Sequence, residues 1–330
     1  MSNKIMSKLD LGAKASNVNA YLDTAAELSV LGRKNHHQVT EKGVPLVHDL
    51  LIKVTAPTFN NQNEPYIEGA CYTVPNNWQT RNAVRMAHFL REEQREEAGV
   101  SKESIGRYAK TMRFNMDPFM YARPYDRAVV STASTQRIYA YSDMDAASAA
   151  PAASDVFDGG VWDYSQLAQF TEDPVTGVTT GDPFYLNICG THSAAAPGPY
   201  TYVGALMAYN QRRQTTMDSS TVTSGGDTQF IDSDSPFFRI PIQDVGEDSY
   251  VDITLGEQDN PPYDRAVGLA TNDSVLAQPV EWFQLGQTGS LAEATFRVQA
   301  PLGLVQLAFS NSDDNQKVLI EVECLGTYEM

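Results

Sequence analysis

The hexapeptide Pro124, Tyr125, Asp126, Arg127, Ala128, Val129 returns unchanged as Pro262, Tyr263, Asp264, Arg265, Ala266, Val267, 138 residues further along a chain of 330. Taking roughly 6% as the match probability per position, a chance repeat of six is expected on the order of a few times in a thousand such chains. A period of this length is too long for a solenoid repeat and close to the size of a domain. It predicts two tandem copies of one fold. The hexapeptide has no catalytic logic: proline sets a turn, tyrosine and valine can enter a core, and aspartate and arginine can pair locally or across an interface.

Charge divides the chain unevenly. Residues 1–127 carry 17 Lys and Arg against 14 Asp and Glu, or +3, whereas residues 128–330 carry 7 against 27, or −20, for a net charge of −17 over the chain. Acidic surface of that density repels phosphate backbones, which argues against nucleic-acid binding by residues 128–330. No run approaches the eighteen apolar residues of a membrane helix and no secretory signal opens the sequence, so synthesis in the cytosol without export is expected. Cys71, Cys189 and Cys324 stand singly in apolar contexts and read as small core residues.

The first 43 residues read as a separate N-terminal arm. Ile5, Met6 and Leu9 fall near one helical face with Lys4, Lys8 and Lys14 elsewhere, so residues 1–14 are expected to form a short amphipathic helix or arm able to lie on an anionic membrane. Residues 20–31 have helical composition, and His36 and His37 fall in a polar connector. Strands are expected over 47–56 and 66–74. The strongest helical stretch follows, capped at Asn76 or Asn77 and running to Gly99, with a second start at Ser101. Its cations, Arg81, Arg85, Arg91, Arg95, Arg107, Lys110 and Arg113, interleave with Glu92, Glu93, Glu96 and Glu97, so the charges are expected to pair among themselves. This region, 76–114, is a helical insertion between strands.

Further strands are expected over 136–141, 184–190 and 200–208, with loops over 145–154 and 171–182 and a polar run over 215–234. From residue 237 onward apolar runs alternate with turn residues at short spacing, at 237–242, 250–255, 280–285, 292–300, 304–309 and 318–328. Such spacing indicates an antiparallel sandwich or jelly roll. The fold class is therefore mainly β: an arm at 1–43, a first jelly-roll barrel at 44–195 bearing the helical insertion, and a second at 196–330.

Motifs for catalysis or cofactor binding are lacking. There is no phosphate loop, zinc-protease helix, nucleophile elbow or cysteine cluster, and neither His48 nor His88 has a catalytic context. Asp143 and Asp145, Asp232 and Asp234, and Asp313 and Asp314 supply oxygens but lack the spacing and glycine of a calcium loop. No metal, cofactor or enzymatic activity is expected.

A duplicated β chain with a helix inserted between strands, an N-terminal arm and no active site resembles the double jelly-roll major capsid proteins of tailless icosahedral, membrane-containing bacteriophages, the tectivirus, corticovirus and finnlakevirus kind. The resemblance is architectural and covers residues 44–330. It implies a structural protein of the virion, made in the host cytoplasm and assembled as a homotrimer that forms a pseudo-hexagonal capsomer. It further implies contact with neighbouring capsomers, minor capsid proteins and an internal lipid membrane, and no sequence-specific nucleic-acid binding. Two alternatives are a phage capsid protein built on a long spine helix, and a carbohydrate-binding or spike β-sandwich, for which Trp282 and Phe283 beside Glu281 are the hint.

Overall fold

The computed structural model describes residues 4–11, 17–56, 66–121, 135–142, 162–172, 179–193, 200–213, 277–286, 292–311 and 316–330. Both copies of the hexapeptide, 124–129 and 262–267, lie outside them, as do Lys14, the strands expected at 237–242 and 250–255, the loops at 145–154 and 215–234, and the three acidic pairs.

The chain is mainly β. Its centre is a sandwich of two five-stranded sheets built from both ends of the sequence. The strands are β1 (Lys4–Asp10), β2 (Asn17–Asp23), β3 (Leu46–Ala56), β4 (Tyr66–Thr73), β5 (Thr135–Arg137) and β6 (Tyr141–Ser142), then β10 (Gln278–Gly286), β11 (Ala292–Pro301), β12 (Leu304–Asn311) and β13 (Lys317–Glu329). One sheet runs β11-β3-β13-β1-β6 and the other β10-β4-β12-β2-β5. Pairing is nested: β1 lies antiparallel to β13, β2 to β12, β3 to β11 and β13, and β4 to β10 and β12. The short β5 and β6 add parallel to β2 and β1.

Alternation along the strands makes the core. On β1 Ile5 and Leu9 are buried while Lys4 and Met6 are exposed, and on β13 Val318, Ile320 and Val322 alternate with Leu319 and Glu323. These inward side chains meet Val18, Ala20, Leu22, Ile67, Cys71, Val305, Leu307 and Phe309 of the facing sheet in one apolar cluster. All three cysteines are buried and free.

Between β4 and β10, the described residues outside β5 and β6 build a second cluster. Its elements are helix α2 (Trp78–Glu97), the short helices α3 (Arg107–Lys110) and α4 (Pro118–Tyr121), the sheet β7 (Gln166–Glu172), β8 (Thr179–Asn187) and β9 (Tyr202–Gly204), and helix α5 (Ala205–Arg213). Val84 and Ala87 of α2 pack with Met112, Phe114, Met116, Ile188 and Leu206, and with Tyr21, Val74, Leu302 and Leu304 from the sandwich. Leu302 has φ 59° in the turn closed by Gly303 N–H donating to Ala300 O at 3.0 Å. Its full burial in this cluster offsets the cost of a left-handed leucine, about 1–2 kcal/mol.

Several expectations require correction. Residues 4–10 are a strand inside a sheet rather than an amphipathic helix, and helix α1 (Thr24–Gly32) begins only after β2, capped by Asp23. The expected strand over 200–208 is β9 followed at once by helix α5, and the loop expected over 171–182 includes the ends of the β7–β8 hairpin. A helix from Ser101 is reduced to the single turn of α3. Strands assigned to a first unit, β3 and β4, pair with β10 to β13 assigned to a second, so the described sandwich does not divide at residue 195.

Candidate functional site

Two surfaces stand out once the cores are accounted for. The first is a cleft in the insertion. Asn77 starts α2 by accepting from Thr80 N–H at 3.0 Å, which sets the face carrying Met86 and Leu90 toward β7 and β8. Gln94 holds the other end, donating to Ala168 O at 2.7 Å and accepting from Ala168 N–H at 3.1 Å, as a strand would. Helix α5 closes the side through the Trp78 and Tyr209 rings, 6.3 Å apart and edge to face, and through Gln79 donating to Asn210 at 3.3 Å. Between these elements lies a mostly apolar cleft of about 400 Å³, lined by Met86, Leu90, Leu167, Phe184, Val203 and His192.

The second surface is the edge of the β10-β4-β12-β2-β5 sheet at β10, the last of the described strands on that side. Trp282 and Phe283 are adjacent, so a strand must send them to opposite faces. Phe283 enters the core and stacks on Phe296, while Trp282 is 69% exposed. It stands beside its register partner Ala70, with Glu68 opposite Gln284 on the same face and Glu281 next to it in sequence.

Buried polar groups form a third constellation, at the junction of sandwich and insertion. Asp23 accepts from Ala26 N–H at 3.1 Å, Gln38 Nε2 at 2.9 Å and the Tyr164 hydroxyl at 3.1 Å, and Tyr164 in turn accepts from Arg137 at 3.0 Å. Burial pushes the Asp23 carboxyl up to about 6, against the pull of the Ala26 N–H and Arg137. Tyr21 donates to Asp117 at 2.8 Å. His48 is fully buried between Thr24 Oγ1, 2.8 Å from Nδ1, and His37 O, 3.2 Å from Nε2, and burial lowers it to about 4. These groups satisfy one another inside the protein, which suits fastening insertion to sandwich.

The arginines of the insertion do not pair mainly with its glutamates, contrary to expectation. Arg91 donates to Thr111 O and Ala109 O, both at 3.1 Å, and Arg95 to Ala109 O at 2.9 Å. Arg113 reaches Asp163 O and Tyr108 O and stacks 3.9 Å over the Tyr108 ring. Glu92 pairs with Arg95 and Lys102. Guanidinium groups spent on main-chain carbonyls are withdrawn from any phosphate backbone.

Of the residues expected on a membrane-facing arm, Ile5 and Leu9 are core, and Lys4 pairs with Glu321 at 2.6 Å across β1 and β13. On the same sheet Lys53 pairs with Glu293 at 2.8 Å and Arg297 with Asp49, so the outward face is laced with neutralising pairs. His37 contacts Thr111 Oγ1 at 3.1 Å and is half-buried, where a solvated loop was expected. Among the described residues no helix is long and apolar enough to cross a membrane, and no three His, Cys, Asp or Glu side chains are grouped to hold a metal ion. The cleft escaped sequence reasoning because its walls come from four separated segments; the exposed tryptophan left a trace, two adjacent aromatics in a strand. No family model, curated protein or solved structure matches this chain.

Proposed function

We propose that the chain is a non-enzymatic structural protein, a subunit of an icosahedral viral shell. The observation that carries the reading is the nested order of eight strands, β1 to β4 pairing with β13 to β10 in reverse, which is the connectivity of a jelly roll, an architecture of capsid and lectin domains. Fold-level analogy is the warrant here, since jelly rolls serve several functions. The rest of the reading is that of a bacteriophage major capsid protein: homotrimeric pseudo-hexagonal capsomers touching their neighbours and minor capsid proteins over an internal membrane.

Negative-stain imaging of the purified full chain tests this. Closed shells or hexagonal trimeric tiles support it, and a monomer at millimolar concentration counts against it. A second reading, a carbohydrate-binding sandwich, is favoured by one observation, the exposed indole of Trp282 on the sheet face that also carries Glu68. Quenching of tryptophan emission by oligosaccharides, absent in Trp282→Ala, would support that reading instead.

A further inference from the structure

We infer that the connector over residues 33–45 is a clasp that acid releases, loosening the insertion from the sandwich when the histidines gathered around it take up protons. Four of the chain's five histidines meet there. The connector leaves α1 through Arg33, its left-handed cap, and is then pinned on two sides. On the sandwich side, His36 N–H donates to Ser29 Oγ at 2.8 Å, Leu46 N–H donates to Gln38 O at 2.9 Å, and buried His48 contacts His37 O. On the insertion side, Gln38 holds the main chain of Phe114 as a strand would, accepting from its N–H at 2.6 Å and donating to its carbonyl at 3.1 Å, while the His37 ring meets Thr111. His88 of α2 lies against Gly43, so close that a Cβ there would stand 2.6 Å from its Cγ.

These places suit neutral imidazole. An imidazolium donates from both nitrogens and, where buried, needs a counter-charge. Among the described residues, Nε2 of His88 is buried with no partner, so a proton there would find no acceptor. The titratable neighbour acting on the His48 ring is His36, another base. Cations stand close to the rest: Arg91 and Arg95 beside His88, Arg113 beside His37, and Lys34 beside His36. Glu41 beside His37 and Glu92 beside His88 pull the other way, but Glu41 is exposed and Glu92 is already shared by Arg95 and Lys102. Burial holds all four histidines below their ordinary value, His48 at about 4. Each therefore binds its proton more tightly once the clasp is open, and falling pH favours opening. Asp23, which accepts from Gln38, is raised to about 6 by burial and opposes this over the same range, one carboxyl against four imidazoles.

Amide hydrogen exchange of the full chain at pH 7.5 and pH 5, corrected for intrinsic rates, provides the test. Protection of Phe114 and of residues 38–46 should fall at least ~10-fold at pH 5, the factor carried by one pKa unit. The β3–β13 ladder around Ile52 and Val322 should keep its protection. His48→Gln with His88→Gln should remove most of the loss, and Asp23→Asn, which takes away the opposing proton, should enlarge it. Histidine ring titration of the wild-type chain by NMR keeps the test decisive if a variant does not fold: His37, His48 and His88 should gain their protons over the pH range in which protection is lost. Histidines that charge while Phe114 stays protected would overturn the clasp. So would protection lost from the β3–β13 ladder at the same pH, or an acid response left unchanged in the double variant.

Discussion

Gly69 and Phe283 are register partners on adjacent strands, and the phenyl ring lies across the glycine so closely that a Cβ at position 69 would stand 2.2 Å from Cζ of Phe283. The ring also stacks on Phe296 at 5.4 Å and meets Phe309 edge to face at 5.9 Å, so it joins the two sheets. Gly69→Ala is expected to destabilise the fold by about 1–3 kcal/mol through overpacking. Urea unfolding measures this, and Gly69→Ala combined with Phe283→Leu should cost less than the sum of the two single changes.

The position of β1 yields a second prediction. Deleting residues 1–10 would uncover Val318, Ile320 and Val322 along β13 and remove Ile5 and Leu9 from the core. Leu9→Ala alone should cost about 2–5 kcal/mol. Lys4→Ala should cost under about 1 kcal/mol, because the side chains of its pair with Glu321 are 44% and 32% exposed. A detachable arm would give the opposite ranking, with little loss from Leu9→Ala and a normal melting temperature for the truncated chain.

The misreading of β1 has a simple cause. Residues four apart share a face in both a helix and a strand, so Ile5 and Leu9 fit either, and Ser7 between them, 5% exposed, carries no apolar signal. Where strands alternate over eight or more residues with β-branched side chains, as in β3, β11 and β13, the sequence was legible, and so was α2 with its Asn77 cap. Pairing between the two ends of the chain leaves no local trace. The repeated hexapeptide therefore suggested a tandem division that the described strands do not follow. Nor does sequence reveal that Arg91 and Arg113 turn to main-chain carbonyls, since a carbonyl acceptor is present at every residue.

A third prediction concerns pH. Asp23 is raised from 3.8 to about 6, so the folded state holds its proton more tightly, and the resulting stability is present at low pH and lost as pH rises through about 6. His48 is lowered from 6.5 to about 4, so the unfolded state binds that proton first, and stability is lost as pH falls from about 6.5 toward 4. Each effect is worth about 3 kcal/mol at most, and they oppose over the same window. Asp23→Asn keeps an oxygen for the helix cap and removes one side of the balance. Its unfolding free energy should drop more steeply than that of the wild type between pH 6.5 and pH 4, while His48→Gln should change in the reverse sense. Urea titrations at four pH values would show this, and parallel curves for all three proteins would contradict it.

In the proposed shell, the nested eight-strand sandwich with its large insertion is the building block and acts through contacts between copies. Electron cryo-microscopy of particles assembled from the purified full chain tests this most directly. The expected result is a closed shell in which β1 to β4 and β10 to β13 form one sandwich per subunit and neighbouring subunits meet through defined contacts. A chain that remains a dispersed monomer under all assembly conditions, or a map in which β1 does not pair with β13, would contradict it.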